Sequence, residues 1–319
     1  MAFRFGTANN DVLYGTSEDD FFFAGGGDDT LFGFDGNDTF HASAGEDTML
    51  GGAGSDTVDY SAIAEQAPNL GLTGVVVSLR EGFGAEVGQT SRDLYSSIEN
   101  VTGSNWRDFI EGDGNNNVLR GLDGDDFIEG LGGADTLEGG AGIDSLGYRD
   151  SNARVVVDLL NNTASGGHAT GDQISGFENL FGSNYNDTLS GSNGANVIDG
   201  NDGNDTINAR GGNDTIEGGR GNDILTGGTG YDTFLYSASE FTGTDRITDY
   251  DVDRDTIRFD IGEFDTASVS ISMGNYNPYT FTADVIVRLR DSSGDVGTVV
   301  LEDIAIGDFN AVAGTIEIV

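Results

Sequence analysis

Acidic residues spaced nine apart constrain this chain more than any other feature. Asp11, Asp20, Asp29, Asp38, Asp47 and Asp56 hold one phase without a break. Two residues after each stands a large apolar side chain: Leu13, Phe22, Leu31, Phe40, Met49 and Val58. Glycine crowds the segment before it, as in Gly51-Gly52-Ala53-Gly54-Ser55-Asp56. The phase returns at Asp108, Asn117, Asp126, Asp135 and Asp144, and again at Asp187, Asn196, Asp205, Asp214, Asp223 and Asp232. These 17 cells make a repeat architecture. Each reads GGxGxD, then x-apolar-x. The glycines permit positive φ and close backbone approach to an ion. The residues after Asp form a short strand whose middle side chain faces inward. Two cells make one coil: strand, turn, strand, turn.

Charge narrows the partners. The net charge is −41, and all 14 basic residues are Arg. Such a chain repels phosphate, so nucleic acid is not an expected partner and cations are. There is no Cys, which excludes disulfides and thiolate metal sites. Metal is then the available staple. No run of eighteen apolar residues is present, so no transmembrane segment is expected.

The donor set selects the ion. Ca²⁺ takes about 6–8 oxygen ligands in tolerant geometry, carbonyls included, and Gly-rich turns with Asp offer both. Softer metals want Cys or His, and the two His, His41 and His168, stand apart and read as surface residues. Cells with Gly at the fourth position make the best candidates: Asp29, Asp38, Asp47, Asp56, Asp126, Asp135, Asp144, Asp205, Asp214, Asp223 and Asp232. Asp20 joins them. Asn117 and Asn196 keep an oxygen but lose the charge, which predicts weaker sites. The first cell of each block carries Asn9, Trp106 or Tyr185 at the fourth position and reads as an edge.

This pattern resembles the RTX (repeats-in-toxin) family, whose motif is GGxGxDxUx with U large and apolar, over about residues 6–59, 103–147 and 182–235. The resemblance implies an all-β, right-handed parallel β-roll (β-solenoid) with multiple Ca²⁺ in its turns. Each ion would be held by turn carbonyls and by Asp side chains from neighbouring coils.

The resulting organisation is a first roll block over 1–59, an insert over 60–102, a second block over 103–147, an insert over 148–181, a third block over 182–240 and a C-terminal cap over 241–319. The inserts share a Val-Val-Val strand (Val75 to Val77; Val155 to Val157) and a later Glu-Asn pair (Glu99-Asn100; Glu178-Asn179). They read as enlarged coils. Thr244-Asp245-Arg246-Ile247 and Asp255-Thr256-Ile257 look like the flank that closes serralysin-type rolls. Beyond them, alternation at Ala267, Val269, Ile271 and Met273, at Val285, Val287 and Leu289, and near Val299 and Leu301 predicts an antiparallel β cap. Turns are expected at Gly274-Asn275 and at Ser292-Ser293-Gly294. By resemblance, the C-terminal segment carries a type I secretion signal. This fits the absence of an apolar leader after Met1.

Catalysis is not expected. HExxH, GxSxG and a P-loop Lys are all missing, and the repeats already begin at Gly6. The reading is of a secreted, extracellular or cell-surface structural protein. It would self-associate into a filament or lattice, through open sheet edges or the strand-like tail Thr315 to Val319. The alternative is a calcium-dependent adhesion module that binds a cell-surface or matrix polysaccharide through the cap or the loop Asn275 to Tyr279.

Overall fold

The computed structural model describes residues 1–62, 74–87, 91–237, 242–260, 268–277, 282–291, 294–305, 312 and 314–318. Their regular structure is mostly short strands joined by turns, with three longer strands near the C-terminus and a 3-10 turn at Gly167–Ala169. Two compact units emerge. The first is Met1–Gly147 with His168–Phe177, and the second is Tyr148–Gly167 with Glu178–Val319.

In the first unit, strands pair in parallel with a partner one coil further along the chain. Thr30 faces Thr48 and Leu31 faces Met49. Phe22 faces Phe40, which faces Val58. The register is eighteen residues, the length of two nine-residue cells. This is a parallel β-roll. Because side chains alternate along a strand, only the middle residue of each x-apolar-x triplet points inward. Phe22, Phe40, Val58, Val101, Leu119, Leu137 and Ile174 form one inward column through successive pairings. Most are fully buried, and Phe22 and Phe40 stack with ring centroids 4.7 Å apart. Burying each such side chain contributes about 1.5–3 kcal/mol.

The first insert departs from a plain coil. Val75–Ser78 pairs in parallel with Phe109–Asp113 but antiparallel with Phe83–Glu86, which pairs antiparallel with Asp93–Ser96. Asp93–Ser96 then rejoins the roll in parallel with Thr48–Ala53.

The second unit repeats the design. Val157, Leu189, Ile207, Leu225, Ile247 and Leu301 form one inward column. Leu180, Ile198, Ile216, Phe234, Ile257 and Ile316 follow each other on the facing sheet. Val156–Asp158 forms an antiparallel hairpin with Thr163–Ser165. Arg210 clamps Asp158 there with two hydrogen bonds, at 2.7 and 2.6 Å.

The C-terminal cap is antiparallel, as expected. Ser268–Asn277 pairs with Thr282–Asp291, and that strand pairs with Gly294–Ala305. Three details differ from the sequence reading. Gly274-Asn275 is not a turn; the strand runs through it, and a register shift between Met273 and Tyr276 absorbs one extra residue as a bulge. The tail is not left over for a neighbour, because Ile316–Ile318 pairs in parallel with Thr256–Asp260 of its own chain. Both His are half-buried rather than superficial, and His41 Nδ1 lies 3.1 Å from Asp59 Oδ2. Ala267, Pro278, Tyr279, Ser292, Ser293 and Val319 lie outside the described residues.

Candidate calcium sites

Each repeat aspartate closes the turn that leads into its strand, and its two carboxylate oxygens have different fates. Oδ1 accepts a main-chain N–H from one coil earlier, in most turns that of the preceding repeat Asp or Asn. Asp20 N–H donates to Asp38 Oδ1 at 2.7 Å, and Asp38 N–H donates to Asp56 Oδ1 at 2.8 Å. In the second unit Asp187 donates to Asp205, Asp205 to Asp223, and Asp223 to Asp245, at 2.7–2.9 Å. The turns are thus tied into ladders running along each unit.

Oδ2 divides the turns into two kinds. In one kind the residue four before the Asp closes the site itself. Thr16 N–H donates to Asp20 Oδ2 at 2.6 Å, Ser104 N–H to Asp108 Oδ2 at 2.6 Å, and Ser183 N–H to Asp187 Oδ2 at 2.5 Å. Ser43 does the same for Asp47 Oδ2 through its hydroxyl, at 2.8 Å. Asn117 and Asn196 follow suit with Oδ1, which accepts from Asp113 N–H and Ser192 N–H. Their amide groups are spent on the Glu99 and Glu178 carbonyls, at 2.8 and 2.5 Å.

In the other kind the residue four before the Asp is left-handed. Gly25, Phe34 and Gly52 precede Asp29, Asp38 and Asp56 with φ of 101, 80 and 114°. Leu122, Leu131 and Gly140 precede Asp126, Asp135 and Asp144, with φ of 82, 62 and 122°. Asn201, Arg210, Gly219 and Gly228 precede Asp205, Asp214, Asp223 and Asp232, with φ of 63, 75, 87 and 96°. A left-handed residue swings its N–H away from the carboxylate. In nine of these turns (Asp29, Asp38, Asp56, Asp126, Asp135, Asp205, Asp214, Asp223 and Asp232) Oδ2 is buried and has no hydrogen-bond donor. Five of the ten left-handed positions are not glycine, and such a conformation costs an L-residue about 1–2 kcal/mol.

A buried carboxylate oxygen without a donor is costly, and a cation relieves it. Further oxygens stand close by. The point beside Gly33 where a Cβ would sit lies 2.2 Å from Asp38 Oδ2 and 2.5 Å from the Gly51 carbonyl oxygen of the next coil. Beside Gly121 the same point lies 2.1 Å from Asp126 Oδ2 and 2.5 Å from the Gly139 carbonyl. Only glycine leaves this space. Among the described residues no group of three or more His, Cys, Asp or Glu side chains converges on one point. The donor set is therefore carbonyl-rich with few carboxylates, the mixture a hard cation of flexible coordination accepts.

The electrostatics agree. Burial, with neighbouring aspartates adding to it, pushes Asp126 up to about 8 and Asp205 to about 9. Burial likewise lifts Asp135 to about 7, and Asp56 and Asp214 to about 6. Without a cation these groups resist ionisation.

Four acidic residues that the nine-residue phase does not reach extend the ladders. Asp93, Asp172, Asp245 and Asp255 accept the N–H of Asp47, Asp135, Asp223 and Asp232. Glu99 does so for Asp56. Three of the four stand in the same Asp-x-apolar setting as the repeats: Asp172-Gln173-Ile174, Asp245-Arg246-Ile247 and Asp255-Thr256-Ile257.

A parallel roll with carboxylates and carbonyls facing each other across glycine turns is a calcium-binding repeat. The comparisons give the particular kind: the RTX calcium-binding nonapeptide repeat (four copies) matches residues 5–33, 32–62, 111–146, 174–207, 181–216 and 199–234. Over these residues, a little under half of the chain, the turns are similar to RTX calcium-binding nonapeptide repeats. No curated protein matches it. Among solved structures, 41% of the chain aligns with 77% of a subunit of the Azotobacter vinelandii mannuronan C5-epimerase, at 29% identity and a TM-score of 0.31. Another alignment covers 99% of the chain and 40% of the extracellular lipase from Serratia marcescens, at 19% identity and a TM-score of 0.33.

Proposed function

We propose that this is a secreted protein that takes up several Ca²⁺ ions, completes its fold on them outside the cell, and serves there as a non-catalytic structural component that self-associates. The observation that carries the reading is the recurrence of one buried carboxylate oxygen without a donor, turn after turn. Asp29, Asp38, Asp56, Asp126, Asp135, Asp144, Asp205, Asp214, Asp223 and Asp232 are its central ligands. The sequence also offers Asp20, Asp47, Asn117 and Asn196, but each is already engaged within the chain and stands outside this central set.

Chemistry links this site to export. At low calcium the buried carboxylates repel one another and the glycines favour an open chain, which suits passage through a type I secretion channel. At extracellular calcium, binding energy becomes folding energy. Self-association is supported by exposed rings on the first coils: Phe3, Phe5, Tyr14 and Phe34 each expose about half or more of their surface.

Light scattering and electron microscopy across a calcium titration test the reading. Growth from monomer to filament or sheet as calcium rises supports it. Monomers at every calcium level would remove the assembly role. Calcium-dependent retention on a polysaccharide column would then favour an adhesion module.

A further inference from the structure

We propose that the residue four before each repeat aspartate decides whether that turn takes calcium. A left-handed residue there opens the turn and loads it. A Ser, Thr or Asp in ordinary conformation closes the turn and keeps it metal-free. The inference rests on the reading of these turns as calcium sites. It goes beyond the repeat motif, because Asp47 meets the motif at Gly45 and is still closed, while the turns after Phe34 and Leu122 lack the second glycine and are open.

A cation and the closing donor compete for a single oxygen. A cation entering the turn needs Oδ2 and the carbonyls beside it. In a closed turn the oxygen already has a short donor, as Asp108 has from Ser104 N–H at 2.6 Å, and Ser104 Oγ adds a second bond to the same carboxylate at 2.7 Å. Asp187 is held in the same way by Ser183. Loading such a turn would break these bonds and rotate the backbone. In an open turn nothing is displaced, and the cost of the left-handed residue has already been met on folding. Apart from those at Thr16 and Ser43, the closed turns are also placed systematically. In both units they fill the first coil after an insert: Ser104 and Asp113 stand there in the first unit, Ser183 and Ser192 in the second. Each stack thus restarts on a coil whose turns are completed by hydrogen bonds alone.

The test is ion counting by native mass spectrometry of the full chain in calcium. Ser43→Gly removes the closing hydroxyl and permits positive φ, and the account predicts one ion more per chain than wild type. Leu122→Thr puts a β-branched residue, which resists positive φ, at an open turn, and one ion fewer is predicted. Unchanged counts in both variants, with wild-type circular dichroism, would overturn the inference. Should either variant misfold, calcium anomalous scattering from crystals of the wild type decides. Density beside Asp38 and Asp126 with none beside Asp20, Asp108 and Asp187 supports it, and density at the closed turns overturns it. A wild type that binds no calcium at all would instead defeat the underlying reading of the turns.

Discussion

Asp126 sits 2.7 Å from the main-chain N–H of Asp108 through Oδ1, while its Oδ2 is buried with no donor. One side chain therefore does two jobs. It ties its coil to the preceding one, and it offers a charge that the protein alone does not satisfy. Substitutions can separate the two jobs. Asp126→Asn keeps an acceptor for Asp108 but removes the charge, so it should raise the calcium concentration needed for folding while leaving the saturated fold intact. Asp126→Ala also leaves a buried N–H unsatisfied, at a further cost of about 1–3 kcal/mol. Urea unfolding at saturating calcium should show this difference between the two variants. Equal stability would mean the ladder bond contributes nothing.

The pH dependence of the chelated protein should run opposite to that of most proteins. Asp126 and Asp205 rise from 3.8 unfolded to about 8 and about 9 folded, chiefly through burial. The folded state binds their protons more tightly, so acid favours it. This contribution is fully present below the unfolded value and is lost as pH rises through about 8–9. In chelator, strand content should increase as pH falls from 9 towards 4, read by circular dichroism. With calcium the trend reverses, because protons and the ion compete for one oxygen.

Asp158 should behave in the opposite sense. Arg210 holds it down to about 2, so its contribution is present above the ordinary carboxylate value and fades on acidification through about 2. Both side chains are about one-quarter exposed, and Arg210→Ala should cost about 1 kcal/mol or less. Thermal unfolding in calcium at pH 7 measures it. A loss several times larger would give the clamp a role the geometry does not predict.

Glycines should divide sharply. A Cβ on Gly221 would meet the Gly203 carbonyl oxygen at 1.4 Å, and its φ is 143°. Around Gly114 the space is open to 4 Å. Gly221→Ala should prevent that turn from forming and shift the calcium midpoint upward. Gly114→Ala should change stability by no more than about 0.5 kcal/mol. Parallel calcium titrations of the two variants check this.

The strands and the core were legible because a nine-residue phase is self-checking. Phe22, Leu31, Phe40 and Met49 are fully buried where Asp-x-apolar spacing places them. The ladder's continuation was not, because the inserts break the phase. Asp172 lies 37 residues after Asp135 but bonds to it as a next-coil aspartate would. Nor does the fourth-position glycine reveal whether a turn is open. That depends on the φ of a residue two places earlier, which Phe34 and Leu122 adopt against their own preference. The apparent turn at Gly274-Asn275 misled for a related reason: a glycine within a strand marks a bulge as readily as a reversal.

Hydrogen exchange of the full chain, in chelator and then in millimolar calcium, tests the central claim most directly. The account predicts that the strand amides flanking Asp38, Asp126 and Asp205 exchange freely in chelator and become protected together as calcium is added. Full protection at those strands in chelator at neutral pH, unchanged by calcium, would contradict it, because the aspartates would then hold the roll together without an ion.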